Sequence, residues 1–139
     1  MKLLKVRNGM LSTNTFLIGE ENQLCYVIDP SDDFKRIKQA IDANFTGVKA
    51  ILLTHGHYDH IGVAKELSLI EKCNIYACSF EREILEDANK NGSLRFSRKS
   101  IVLDNVVYFG EEIILEIGDF KVDVIFIPGH SPGGVGYII

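Results

Sequence analysis

Val48-Lys49-Ala50-Ile51-Leu52-Leu53-Thr54-His55-Gly56-His57-Tyr58-Asp59-His60 is the stretch whose reading decides the fold. Residues 48–54 form an apolar run of the kind a strand buried on both faces requires. That run hands over directly to three imidazoles and a carboxylate. The chain has four histidines, and the fourth, His130, lies in a second Gly/Pro-punctuated turn, Pro128-Gly129-His130-Ser131-Pro132-Gly133-Gly134. Imidazole and carboxylate groups bind zinc, iron or manganese. A loop after a strand frees side chains from strict alternation, so His55 and His57 can converge on one ion. His130, arriving from elsewhere in the chain, completes a three-histidine face. Asp59 and His60 are offset in the same loop and are expected to face a second ion. Two metals about 3.5–4 Å apart hold a hydroxide between them and polarise a carbonyl. No cysteine lies near either loop, which argues against a closed structural zinc site of the cysteine type.

Working outward, the chain of 139 residues is expected to be one domain, residues 1–139, with one core. A hydrophobic content of 46% with 24% charged residues fits a globular class. The net charge of −4 argues against an extended phosphate-binding surface, so no nucleic-acid partner is expected. No run approaches the length of a membrane span, and residues 1–9 lack the apolar segment of a signal peptide. Cys25, Cys73 and Cys78 show no C-x-x-C spacing; three thiols without a secretion signal point to a reduced, cytoplasmic setting.

Strand and helix signals alternate. Strands are expected at 2–7, 15–19, 24–29, 48–54 and 74–77. Further strands are expected at 105–109, 111–117, 120–127 and 134–139, with Gly118-Asp119 as a hairpin turn. A helix over 33–44, capped by Ser31 or Asp32, places Phe34, Ile37, Ala40 and Ile41 on one face. Further helices are expected at 61–72 and, capped by Ser79, at 79–88; the polar, basic segment 89–100 reads as a loop. Asp29 before Pro30 has two readings, a turn-initiating carboxylate or one that orients a ligand histidine. Tyr58 reads as loop support. Arg95, Arg98 and Lys99 read as a solvated loop, with contact to a substrate anion as the second reading.

The His55-Gly56-His57-Tyr58-Asp59-His60 motif, the Pro128–Gly134 turn and Asp29 closing an earlier strand together resemble the metallo-β-lactamase superfamily. The turn, Asn14-Thr15 and Val27-Ile28-Asp29-Pro30 are most similar to its hydroxyacylglutathione hydrolase (glyoxalase II) branch. The resemblance runs over residues 1–139. It implies an α+β fold, the αββα sandwich of two face-to-face mixed sheets with helices outside, here as an N-terminal portion with the second half incomplete. It implies His55, His57 and His130 on a first zinc and Asp59 and His60 on a second, with iron or manganese as alternatives. Asp59 would also act catalytically by orienting a bridging hydroxide. It further implies a hydrolase for small thioester or related acyl substrates, acting through metal-bound hydroxide.

The family's bridging Asp and last His have no counterpart before Ile139. The chain ends inside an apolar, strand-like segment, which reads as a fragment. This 139-residue chain is therefore expected to bind at most one metal well, to hydrolyse little, and to dimerise through an exposed sheet edge. A mononuclear non-haem iron oxidoreductase of the persulfide dioxygenase type and a truncated non-catalytic metal-binding module are the alternatives. A nuclease of the same superfamily is disfavoured by the acidic balance.

Overall fold

The computed structural model describes residues 1–111 and 113–139. Two sheets form. The first has six strands in the order β1 (Lys2–Asn8), β2 (Thr13–Gly19), β3 (Leu24–Ile28), β4 (Gly47–Leu52), β5 (Asn74–Cys78) and β6 (Val106–Phe109). The second has three, β7 (Ile114–Ile117), β8 (Phe120–Phe126) and β9 (Val135–Ile138). Strands β1 to β3 are antiparallel hairpin neighbours, whereas β3 to β6 run parallel and need crossovers. Helix α1 (Phe34–Asn44) makes the first crossover, and α2 (Tyr58–Ile61) with α3 (Ala64–Glu71) makes the second.

Alternation along the central strands divides the core in two. Cys25, Val27, Val48 and Ile51 face Ile37 and Ile41 of α1 and Ala64 and Leu67 of α3. Tyr26, Ile28, Ala50 and Leu52 face Leu115, Val122, Val124 and Val135 of the second sheet. The described residues thus form a helix layer on two face-to-face sheets. Lys49 is the one charged residue in the run 48–54. The ladder absorbs it with a register shift, and its ammonium lies over the Phe120 ring.

Several boundaries move. The cap of α1 is Asp33, not Ser31 or Asp32. Asp33 adopts a left-handed conformation (φ 53°), and its carboxylate accepts the Arg36 N–H at 3.2 Å. The expected helix over 61–72 is two pieces, and Asp59 and His60 lie in the first helical turn rather than in a loop. The segment 79–88 holds a 3₁₀ turn, Ser79–Glu81, followed by the short α4 (Arg82–Leu85). The expected loop 89–100 contains a π turn, Ser93–Ser97, closed by the Ser97 hydroxyl donating to the Ser93 carbonyl. Strand β7 begins at Ile114, and Glu112, inside the expected strand 111–117, lies outside the described residues. The Gly118-Asp119 hairpin forms as expected, pairing Ile117 with Phe120. Among the described residues no helix is long and apolar enough to cross a membrane.

Candidate metal centre

The two histidine loops meet at one edge of the sandwich. Strand β4 delivers His55 and His57, while the β8–β9 connection carries His130. Two bonds stitch the sheets together at this edge, Val135 N–H to the Thr54 carbonyl (2.9 Å) and the Tyr137 hydroxyl to the Leu53 carbonyl (2.7 Å), while Ile127 N–H to the Gly134 carbonyl (2.7 Å) closes the β8–β9 connection that carries His130.

One ring nitrogen from each of His55, His57 and His130 lies within 4.8 Å of the others. His57 Nδ1 and His130 Nε2 are 3.0 Å apart. His55 is buried and its Nε2 has no hydrogen-bond partner. A bare, buried imidazole nitrogen is costly unless a ligand completes it. The hydrogen-bond order around it explains how it is kept bare. The Thr54 hydroxyl donates to Asp29 Oδ2 at 2.6 Å, so its oxygen is left to accept from His55 Nδ1 at 3.1 Å. The proton therefore sits on Nδ1 and the Nε2 lone pair points into the cluster. Three such nitrogens are the donor set of a metal site with an open fourth position.

Asp29 reaches His60 as well, accepting from its Nδ1 at 2.8 Å. This leaves His60 Nε2 facing Asp59 Oδ2 at 3.4 Å. Asp29 Oδ1 accepts the Thr54 N–H at 2.8 Å. Asp29 is therefore the orienting carboxylate of the two readings: one side chain sets His60 directly and His55 through Thr54. Asp59 is itself held by the Thr13 hydroxyl, which donates to Oδ2 at 2.9 Å.

The electrostatics follow. Burial, reinforced by the neighbouring His60, pushes His55 down to about 4. Burial and His130 hold His57 below the usual imidazole value. Burial also presses on His60, but the Asp29 hydrogen bond and the charges of Asp29 and Asp59 outweigh it, so its pKa rises. Cys25 and Cys73 are free thiols pushed up by burial to about 12 and about 11, which makes them poor nucleophiles.

Beside Asp59 opens a cavity of about 490 Å³ whose walls include Met10, Leu11, Tyr58, Phe96, Arg98 and Lys99. Tyr58 supports it by stacking on Phe96 (centroids 5.9 Å apart). Arg98 and Lys99 are exposed at its rim, and Arg95 lies over the Phe96 ring.

Two residues of the centre were not legible beforehand. Thr13 gives no signal, being one hydroxyl in a strand. Glu81 is fully buried, and its carboxylate accepts the Gly56 N–H at 2.8 Å and the Gly133 N–H at 2.6 Å. Its signal was present: positions 81, 85 and 88 share one helical face, and Leu85 and Ala88 are both buried. An acidic residue on that stripe needs a partner.

Residues 8–139 match the Metallo-beta-lactamase superfamily, and the chain belongs to it. It is 32% identical over 142 residues to the probable metallo-hydrolase YqgX of Bacillus subtilis, covering 100% of this chain and 66% of that one. It is 30% identical to the hydroxyacylglutathione hydrolase GloC of Haemophilus influenzae, covering 90% of this chain and 60% of that one. Among solved structures it resembles the BLEG-1 B3 metallo-beta-lactamase (TM-score 0.82, 30% identity, 98% of this chain and 66% of that one). It also resembles TTHA1623 in a di-iron-bound form (TM-score 0.77, 26% identity, 97% and 66%). The chain spans about two thirds or less of the length of these proteins. The metallo-β-lactamase fold expected from the two histidine motifs is thus the fold observed.

Proposed function

We propose that this chain belongs to a metal-dependent hydrolase acting on a small thioester or related acyl compound. His55, His57 and His130 would hold a first metal, and Asp59 with His60 would face a second. The observation that carries this is His55 Nε2, buried, bare and aimed at two further imidazoles. The hydrolase names of YqgX and GloC support the reaction class, and GloC supports an acylated thiol as substrate. Zinc is the proposed metal, with iron as the alternative that the di-iron form of TTHA1623 keeps open.

When bound, the metal supplies Lewis acidity that polarises the substrate carbonyl and acidifies water. The protein's own part is positional. Thr13 fixes Asp59 so that its carboxylate orients the attacking water and accepts its proton. Asp29 holds His55 and His60 in the tautomers that leave Nε2 free. Met10, Leu11 and Phe96 offer apolar surface to the acyl group, and Arg98 and Lys99 offer positive charge to an anionic end. Water adds to the carbonyl carbon, the C–S bond breaks, and the sulfur takes a proton, releasing an acid and a thiol. The odd number of cysteines and their lack of C-x-x-C spacing support a cytoplasmic setting.

Metal analysis and a thiol-release assay test this together. The chelator-treated chain, given zinc, is expected to retain one equivalent, because only the first site has three imidazoles; His55→Ala and His130→Ala should abolish that retention. The zinc-loaded chain should release thiol from acyl-glutathione slowly but faster than the metal-free chain. A wild-type chain that retains no metal overturns the metal centre. Equal thiol release with and without metal overturns the hydrolase.

A further inference from the structure

The three imidazoles come from loops 73 residues apart in sequence (His57 and His130), on different sheets, yet their separation must be held to a fraction of an ångström for shared coordination. The two oxygens of Glu81 are divided between those loops. Oε2 accepts the N–H of Gly56, between His55 and His57, and Oε1 accepts the N–H of Gly133, three residues beyond His130. Both loop residues are glycine, and at both a Cβ would be tightly packed. A Cβ on Gly56 would sit 3.0 Å from Ile84 Cγ2 and 3.2 Å from Glu81 Oε2. On Gly133 it would sit 3.0 Å from Phe80 Cβ and 3.1 Å from Glu81 Cγ. A side chain at either position would have to push these neighbours aside by a few tenths of an ångström for the backbone to stay this close to the carboxylate. A carboxylate without solvent exposure is costly to bury, and two charge-assisted hydrogen bonds offset that cost only while both loops stay in place.

We propose that Glu81 is a positioning residue that sets the spacing of the two histidine loops and thereby the affinity of the three-imidazole site for its metal. This rests on the metal-site reading above.

Glu81→Gln is the decisive variant. It keeps the volume and one acceptor but sets an NH₂ against the other loop's N–H, so one loop is released. Cobalt(II) is the probe, read by its visible spectrum and by competition with a chromophoric chelator. Leu67→Ala, a core truncation in α3 away from the loops, controls for lost stability. Glu81→Gln is expected to bind cobalt about 10- to 100-fold more weakly than wild type, with an altered visible spectrum. Leu67→Ala should bind normally even where it unfolds at a lower temperature. Wild-type affinity and spectrum in Glu81→Gln overturn the proposal alone, whereas a wild-type chain that binds no cobalt overturns the metal site with it. Should Glu81→Gln not fold, amide exchange in the wild type decides. Gly56 and Gly133 should be protected in the metal-free chain and slow further on cobalt addition; exchange as fast as in exposed loops refutes the latch.

Discussion

His55 and His60 sit side by side (ring centroids 4.1 Å apart), yet their environments move them in opposite directions. In the metal-free chain, histidine ¹³C NMR should show one ring with a midpoint near the about 4 of His55 and one above the usual imidazole value, His60. The stability consequences have opposite signs. Between pH 6.5 and about 4 the unfolded chain holds a proton that folded His55 does not, so this contribution is lost as pH falls through that window. The His60 contribution is fully present below pH 6.5 and lost as pH rises through its raised folded value. Asp29→Ala should lower the His60 midpoint and, by stranding the Thr54 N–H, cost about 1–3 kcal/mol in a urea titration. An unmoved His60 midpoint would refute the orienting role of Asp29. At this scale the five proposed ligand side chains were legible, because metal binding demands those residue types. Asp29 was ambiguous because a turn-forming and an orienting aspartate are written with the same letter. Glu81 was marked only as an acidic residue on an apolar stripe; its partners are backbone N–H groups, which no residue letter records.

The expected helix over 61–72 breaks because of one close approach. At Gly62 a Cβ would collide with the Ser31 backbone carbonyl, and the next residue, Val63, donates its N–H to Pro30 (3.1 Å). The segment after β3 is therefore packed directly onto the joint between α2 and α3. That contact fixes the turn carrying Asp59 and His60 against the strand end carrying Asp29. Hydrophobic periodicity continues through the joint, since Ile61, Ala64 and Leu67 all face the core, so pattern alone could not reveal the break. Strand existence was legible because alternation and turn residues are local. The 3₁₀ and π turns were not, because tertiary contacts decide them. Gly62→Ala should destabilise by about 1–3 kcal/mol and, by tilting α2, disturb the His60–Asp29 bond. A urea midpoint within error of wild type would refute the close approach.

Across the whole molecule, the second sheet is covered on one face only among the described residues. Its inner face, Leu115, Val122, Val124 and Val135, is buried against the first sheet. Its outer face carries Ile114, Ile125 and Ile138, at 44%, 48% and 55% exposure, flanked by Ile113 and Ile127. The polar relief on that face is slight: Glu116 pairs with Lys121 at 3.6 Å, and Asp123 lies between Ile114 and Ile138. Three exposed isoleucines on one face of a three-stranded sheet, one on each strand, are apolar surface of the kind that drives association. Strands β7 and β9 are the edges of this sheet among the described residues. The sequence-based expectation of a dimer placed the contact at a sheet edge; the exposed isoleucines extend the sticky surface to the sheet face. This 139-residue chain is therefore expected to elute above monomer mass at micromolar concentration, with high salt strengthening the association. Ile125→Lys with Ile138→Lys should return it to monomer without weakening metal binding, since neither residue touches the histidine loops' hydrogen bonds. A wild-type chain that sediments as a monomer would show that Asp123 and the Glu116–Lys121 pair suffice to keep the face in water. A lysine variant that remains associated would shift the contact to the strand edges.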